Sequence, residues 1–162
     1  MNKLEIERKF LIKMPNEKRL LDLKSIRVLN ISQTYTTKGE RIRKIEENGS
    51  ITYIKTIKKH ISDLVRLEME EEISGDEYNC LLGFKEGNTI EKTRYVYLYK
   101  GKNIEIDIFP FWKKQAFCEV ELISEDEDCP LPSFIEVIKE VTEDKAYRNY
   151  SLSKNIPKEE NF

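Results

Sequence analysis

The chain has 162 residues, 39% of them apolar and 36% charged, and its 28 basic and 30 acidic side chains leave a formal net charge of −2. That length sets the expectation of one domain with a real core, and the charge balance argues against bulk attraction to nucleic acid and against an acidic disordered tail. Cys80, Cys118 and Cys129 form no C-x-x-C pair, His60 is the only histidine, and no glycine-rich phosphate loop is present, so a disulfide frame, a zinc site, a multi-histidine metal centre and a P-loop are all excluded.

Period-two alternation, the strand signature, runs through eight stretches, near 3–13, 28–37, 40–45, 51–58, 65–73, 90–99, 103–109 and 116–123. Lys38-Gly39, Asn48-Gly49 and Gly101-Lys102-Asn103 are short glycine-bearing joints of hairpin type, which makes neighbouring strands antiparallel. Helical signals are few. Short helices are expected across 17–23 and, after the capping box Ser74-Gly75-Asp76-Glu77, through Leu81 and Phe84. Beyond Pro130 and Pro132 two more are expected, near 133–140 and 144–153, followed by a polar, frayed tail over 154–162. No apolar run approaches the roughly 20 residues of a membrane helix and the N-terminus carries acids, so a cytoplasmic protein is expected.

The alternation sorts charge onto one face. Glu5, Glu7 and Lys9 oppose Leu4, Ile6 and Phe10; Arg41 and Arg43 flank Ile42; Arg66, Glu68 and Glu70 oppose Leu67 and Met69. Lys92 and Arg94 share a face, as do Glu105 and Asp107, and Glu119 and Glu121, while Lys55 lies mid-strand on the face of Tyr53 and Ile57. An open antiparallel sheet with its charged face in water accounts for this pattern. Its apolar faces, however, need more cover than the few short helices supply. The alternative is a closed barrel with charges inward and apolar faces dressed from outside.

Inward charge is unfavourable unless a charged ligand occupies the lumen. Lys9, Arg41, Arg43, Lys55, Lys92 and Arg94 suit a polyanion, arginine forks binding phosphate bidentately. The acids would repel such a ligand unless divalent ions bridged the two, and oxygen-only donors select Mg²⁺ or Mn²⁺.

These residues, with Glu5-Ile6-Glu7-Arg8-Lys9-Phe10-Leu11 at the start, Gln33-Thr34-Tyr35, Lys55-Thr56, Lys92-Thr93-Arg94-Tyr95 and Glu140-Val141-Thr142-Glu143-Asp144 with Tyr147-Arg148-Asn149 near the end, resemble the CYTH superfamily of triphosphate tunnel metalloenzymes in collinear order. The resemblance implies a mainly β (α+β) fold, an eight-stranded antiparallel closed β-barrel tunnel with a few short helices outside and at the C-terminal end, over 1–153. It implies phosphate binding by Lys9, Arg41, Arg43, Lys55, Lys92 and Arg94, metal binding by Glu5, Glu7, Glu119, Glu121 and Asp107, and further lumen acids at Glu68 and Glu70. Glu5, Glu7, Lys9, Glu68 and Glu70 are the expected catalytic set.

The activity implied is metal-dependent hydrolysis of a triphosphate, foremost inorganic tripolyphosphate, with two Mg²⁺ or Mn²⁺ ions in turnover and no membrane partner. The same fold also hosts organic triphosphatases, including those acting on RNA 5′-triphosphate ends, and adenylate cyclases. A non-catalytic polyphosphate-binding module is the remaining alternative, against which the lumen acids argue. Tyr35 is expected to pack, the Tyr95, Tyr97 and Tyr99 stripe to face outward under a helix, and His60 to lie in a loop without a catalytic role, while Lys145 and Arg148 either approach the tunnel end from the C-terminal helix or lie on its surface.

Overall fold

The computed structural model describes the backbone of residues 2–162 and side chains from Leu4 onward. Eight strands carry the alternation: β1 (Asn2–Lys13), β2 (Arg27–Thr36), β3 (Arg41–Glu47), β4 (Ser50–His60), β5 (Val65–Ile73), β6 (Lys85–Tyr99), β7 (Lys102–Ile108) and β8 (Gln115–Glu121). They pair antiparallel in the order β5-β4-β3-β2-β6-β7-β8-β1, and β1 returns to pair with β5, so the sheet closes into a barrel. Two hairpins use turns with both central residues at positive φ, Asn48 (52°) with Gly49 (81°) and Lys100 (51°) with Gly101 (78°). This is the geometry that matches strand twist.

The apolar faces point outward, where α1 (Glu17–Leu21), α2 (Gly75–Leu82) and the 122–135 loop cover them. Phe10, Ile12, Tyr95, Ile106, Cys118 and Val120 are buried with Leu20 and Ile135 on one side, and Ile42 and Ile73 with Tyr78 and Leu81 on the other. Tyr99 packs against the first of these clusters and Tyr97 against Phe134, so the tyrosine stripe does face outward. Ser74 caps α2 by accepting from the Glu77 amide at 3.1 Å. Among the described residues, no helix is long and apolar enough to cross a membrane.

Three expectations about the C-terminal third are corrected. The segment expected to be helical over 133–140 contributes a ninth strand, β9 (Val137–Glu140), paired with Phe10–Ile12 of β1. The reason is an edge: β5 covers β1 only as far as Ile6, and the unpaired backbone beyond it needs a partner. The expected helix over 144–153 is broken in two, a 3-10 turn at Lys145–Tyr147 and α3 (Asn149–Leu152), by an extended Arg148 (φ −69°, ψ 144°). The tail is not frayed. Pro157 accepts from the Trp112 indole at 2.9 Å, and the Glu160 amide donates to Gln115 at 2.8 Å.

Part of the interior is solid. Leu11, Ile90 and Phe117, on the inward face of their strands, meet Phe109, Trp112, Val141, Tyr147 and Leu152 in an apolar plug. Gly87 in β6 holds the C-terminal segment to this plug. The neighbouring Asn88 amide donates to the Ser153 carbonyl at 2.8 Å, and a Cβ on Gly87 would lie 2.8 Å from the same oxygen, at a φ of +73°. Gly87→Ala is expected to lower stability by about 1–3 kcal/mol in chemical denaturation, from strain and clash together. Gly101→Ala, at a similar φ but with no atom within 4 Å of the added carbon, is expected to lose less.

Candidate functional site

Strand parity dictates what the hollow part of the barrel contains. Because Glu119 pairs with Lys9 and Glu105, and Arg94 with Asp107 and Leu29, the residues two apart from each fall on the same inward face. Two chambers result, one of about 450 Å³ and one of about 200 Å³, with Glu7, Arg41, Lys58, Glu119 and Asn149 in the walls of both. Lys9 faces the larger; Glu5, Arg43, Glu68, Glu70, Arg94 and Glu121 face the smaller.

The expected site residues are thus brought together, with a correction at Lys55 and a refinement at Lys92 and Asp107. Lys55 points outward. It pairs with Ile42, whose side chain is buried under α2, and its ammonium lies 2.8 Å from Glu71 and within 4 Å of Glu40 and Glu77. The inward lysine of β4 is Lys58, 3.1 Å from Glu5 and 3.9 Å from Glu68. The sequence contained the signal: the two-residue Asn48-Gly49 turn sets Lys55 opposite Ile42, on the apolar face.

Lys92 and Asp107 face inward but line neither chamber. Asp107 accepts from Lys92 Nζ at 2.9 Å and from Arg94 Nε and Nη2 at 2.7 and 2.8 Å, so both its oxygens are engaged in orienting cations. Burial alone would raise its carboxyl; Arg94 and Lys92 hold it far below the ordinary range. Arg94 also donates to Glu105 at 3.0 Å.

Glu105 carries the same parity signal as Asp107 but was not among the expected ligands. With Glu7 and Glu119 it forms a cluster of three carboxylates whose ligand oxygens lie within 4.8 Å of one another. Burial and the neighbouring Glu119 and Glu5 push Glu7 well above the usual carboxylate range, and burial raises Glu105 as well. Glu119 is buried too, yet Lys9 and Arg94 lower it. An all-carboxylate donor set whose members resist ionising together fits a hard divalent cation.

A second acid group adjoins the first, on β1 and its neighbour β5. Burial and hydrogen bonds with Glu5 and Glu70 push Glu68 up to about 8. Glu5 is buried as well, but its bonds to Glu68 and Lys58 hold it below its ordinary value. Arg43, buried beside Arg41 and Arg94, is lowered to about 9.

The seam between β5 and β9 positions Lys9. There the Lys9 amide donates to the Thr142 hydroxyl at 2.9 Å and its carbonyl accepts from the Val141 amide at 2.8 Å. The ammonium donates to the Tyr147 carbonyl at 2.8 Å, lies 3.4 Å from Glu119 and sits 4.0 Å from the Phe117 ring centroid. Tyr35 and Tyr150 also line the larger chamber and meet edge to face at 5.2 Å. His60 is exposed, and Arg66 lines the larger chamber.

A closed antiparallel barrel with paired cations and carboxylates facing inward defines a class of protein built around a charged lumen. The chain belongs to the CYTH domain family, which it matches over residues 3–150, and members of that family work with divalent metal ions. It is 35% identical over 160 residues to an inorganic triphosphatase of Nitrosomonas europaea, covering 94% of this chain and 99% of the relative. Among solved structures, that of an inorganic triphosphatase matches with a TM-score of 0.59 and 29% identity, over 95% of this chain and 97% of that one. A protein of Pyrococcus horikoshii matches with a TM-score of 0.50 and 28% identity, over 75% of this chain and 80% of that one.

The raised acids set a pH dependence. Glu68 keeps its proton to about pH 8 when folded and loses it near 4.5 when unfolded, so the folded chain binds more protons in between and stability falls as pH rises through that window. Glu7 and Glu105 act in the same direction. In chelator, the melting temperature is expected to decrease from about pH 5 to about pH 7; an increase over that range contradicts this electrostatic picture.

Proposed function

We propose that the protein hydrolyses inorganic tripolyphosphate to pyrophosphate and phosphate inside this lumen. The observation that carries the reading is the meeting of Arg41, Arg43, Lys58, Arg94 and Lys9 with two carboxylate groups around two chambers that share walls. A polyanion receptor needs the cations alone. Asp107 serves to orient cations, but a cluster of mutually repelling carboxylates such as Glu7, Glu105 and Glu119 is accounted for where metal accompanies the anion. The whole-length similarity to an inorganic triphosphatase supports the same substrate.

Glu7, Glu105 and Glu119 would hold a divalent ion, with Glu121 beside them. Glu5, Glu68 and Glu70 form the group that supports a second. Oxygen donors favour Mg²⁺ or Mn²⁺. Such ions, when bound, supply charge neutralisation on the phosphate chain and a lowered pKa for a bound water.

The rest of the chemistry belongs to side chains of the chain itself. Arg41, Arg43 and Arg94 present planar donors to non-bridging oxygens, and Asp107 fixes Arg94 in its orientation before substrate arrives. Lys58 is held at one acid group and Lys9 at the other, so each can stabilise charge gathering on the transferring phosphoryl or the leaving pyrophosphate. Carbonyl and ring contacts keep the Lys9 ammonium from folding back against its own strand. The plug keeps bulk water out of one part of the interior. In-line attack by water needs no covalent intermediate, in keeping with the lack of a nucleophile–histidine pair.

Tyr35 and Tyr150 stand edge to face at 89°, not parallel as a sandwiched base requires, which favours an inorganic over a nucleoside substrate. The three cysteines are free thiols, which fits a reducing, cytoplasmic setting.

Phosphate release from tripolyphosphate with Mg²⁺ or Mn²⁺, compared with ATP, thiamine triphosphate and RNA 5′-triphosphate ends, tests the assignment. Release from tripolyphosphate is expected to lead the panel and to stop with chelator; preference for an organic triphosphate contradicts it. Lys58→Ala is expected to reduce kcat/KM by about 10–100-fold, the loss of a charged hydrogen bond. Lys55→Ala should stay within about twofold, as for an outer-surface ion pair. The reverse order would return Lys55 to the site. Glu119→Ala should lower kcat by about 100-fold or more.

A further inference from the structure

We infer that Arg148 and Asn149, supplied by the C-terminal segment and not by any strand, bind the phosphate chain, with Asn149 gripping it where the two chambers meet. This rests on the tripolyphosphate reading above and adds residues to that site.

The first observation is position. Asn149 lies in the walls of both chambers, and the other residues that do so, Glu7, Arg41, Lys58 and Glu119, are all charged groups on strands. The second is an unmet bond. Asn149 Oδ1 and Arg148 Nε are buried without a hydrogen-bond partner among the described residues, as are the Nε atoms of Arg41 and Arg43 on the cationic wall. Orphaned polar atoms are few in folded interiors, and each calls for an explanation. Here several face one cavity; an anion with oxygens in every direction would accept from the guanidinium Nε atoms, and from Asn149 once its amide is turned to present the NH₂ group.

The third observation is how firmly the pair is presented. The extended backbone at Arg148 interrupts the helical path between the 3-10 turn and α3. On the upstream side the Tyr147 carbonyl is tied to Lys9 Nζ; downstream, the Ser153 carbonyl is tied to the Asn88 amide beside Gly87. Among the described residues, the Arg148 side chain has only a distant ion pair, 3.9 Å to Asp63. The segment is therefore fixed at both ends while its two middle side chains remain available to a ligand.

The chemistry suits a phosphate chain. Rotating the Asn149 amide by half a turn exchanges its oxygen for an NH₂ group with two donors. A neutral donor can approach phosphoryl or bridging oxygens without adding to the repulsion between Arg41 and Arg43, which together with burial lowers the latter.

The test compares Asn149→Ala, Asn149→Asp and Arg148→Gln with Lys145→Ala, an exposed position on the same segment, as control. Tripolyphosphate hydrolysis with Mg²⁺, metal-free tripolyphosphate binding and melting temperature are measured for each. Asn149→Ala and Arg148→Gln are expected to raise KM about tenfold with smaller changes in kcat. Asn149→Asp, though isosteric, should bind about tenfold more weakly again, because its carboxylate repels the anion. Lys145→Ala should match the wild type.

A purely structural Asn149 predicts the opposite order, with Asp retaining more than Ala and the loss appearing in melting temperature and not in KM. That order, or KM within about twofold of wild type in both Asn149 variants, overturns the inference. A wild type that neither binds nor hydrolyses tripolyphosphate overturns the functional reading itself. An active wild type with unaffected variants sinks only this one.

Discussion

Closing a two-faced sheet with its charged face inward brings like charges within a few ångströms of one another where little water can screen them. Partial internal pairing relieves this. Asp107 pairs with Lys92 and Arg94, Glu105 also pairs with Arg94, Glu119 balances Lys9, and Lys58 stands between Glu5 and Glu68. What remains unrelieved is informative. Glu7 and Glu68 resist ionisation, Arg43 is depressed by burial and its arginine neighbours, and the Nε atoms of Arg41 and Arg43 lack acceptors among the described residues. The residual frustration has both signs, so cations and an anion together relieve more of it than either does alone.

The rest of the architecture serves that inversion. An apolar face turned outward must be covered, and α1, α2 and the 122–135 loop do so. The inside of the barrel beyond the charged levels must be filled, and aromatic residues from the 109–112 turn and the C-terminal segment fill it. That filling also supports the chemistry, since Phe117 and the Tyr147 carbonyl hold the Lys9 ammonium. Plug and charged site are therefore mechanically one unit. The strap formed by Pro157 and Glu160 ties the chain end to the same turn.

Much of this was legible in the chain because strand parity is a local property. Alternation alone puts Glu5, Glu7 and Lys9, or Arg41 and Arg43, on one side, and the turn residues set neighbouring strands antiparallel. Lys55 lies on a charged strand, but its parity with Tyr53 and Ile57 puts it on the outer face; Lys58, in phase with Thr56, is the inward lysine. β9 was hidden for a different reason. Its four residues pair with an edge of β1 that exists only because β5 ends its pairing at Ile6, a non-local fact. The same holds for the tail, whose partners Trp112 and Gln115 are over forty positions away, and for Asn149, which no strand pattern could place in the lumen. Asp107 shows a subtler limit: pattern brought it to the right wall but could not reveal that Lys92 and Arg94 occupy both its oxygens.

The central claim is that the lumen is balanced only when metal and triphosphate are present together, and thermodynamic linkage measures this directly. Melting temperature would be recorded with Mg²⁺ alone, with a non-hydrolysable methylene-bridged triphosphate alone, and with both, at one fixed pH. Each ligand alone is expected to give a small shift, and the pair a shift clearly larger than the two combined, because each removes the repulsion that opposes the other. Shifts that merely add, or a triphosphate analogue that stabilises as much without Mg²⁺ as with it, would contradict the account.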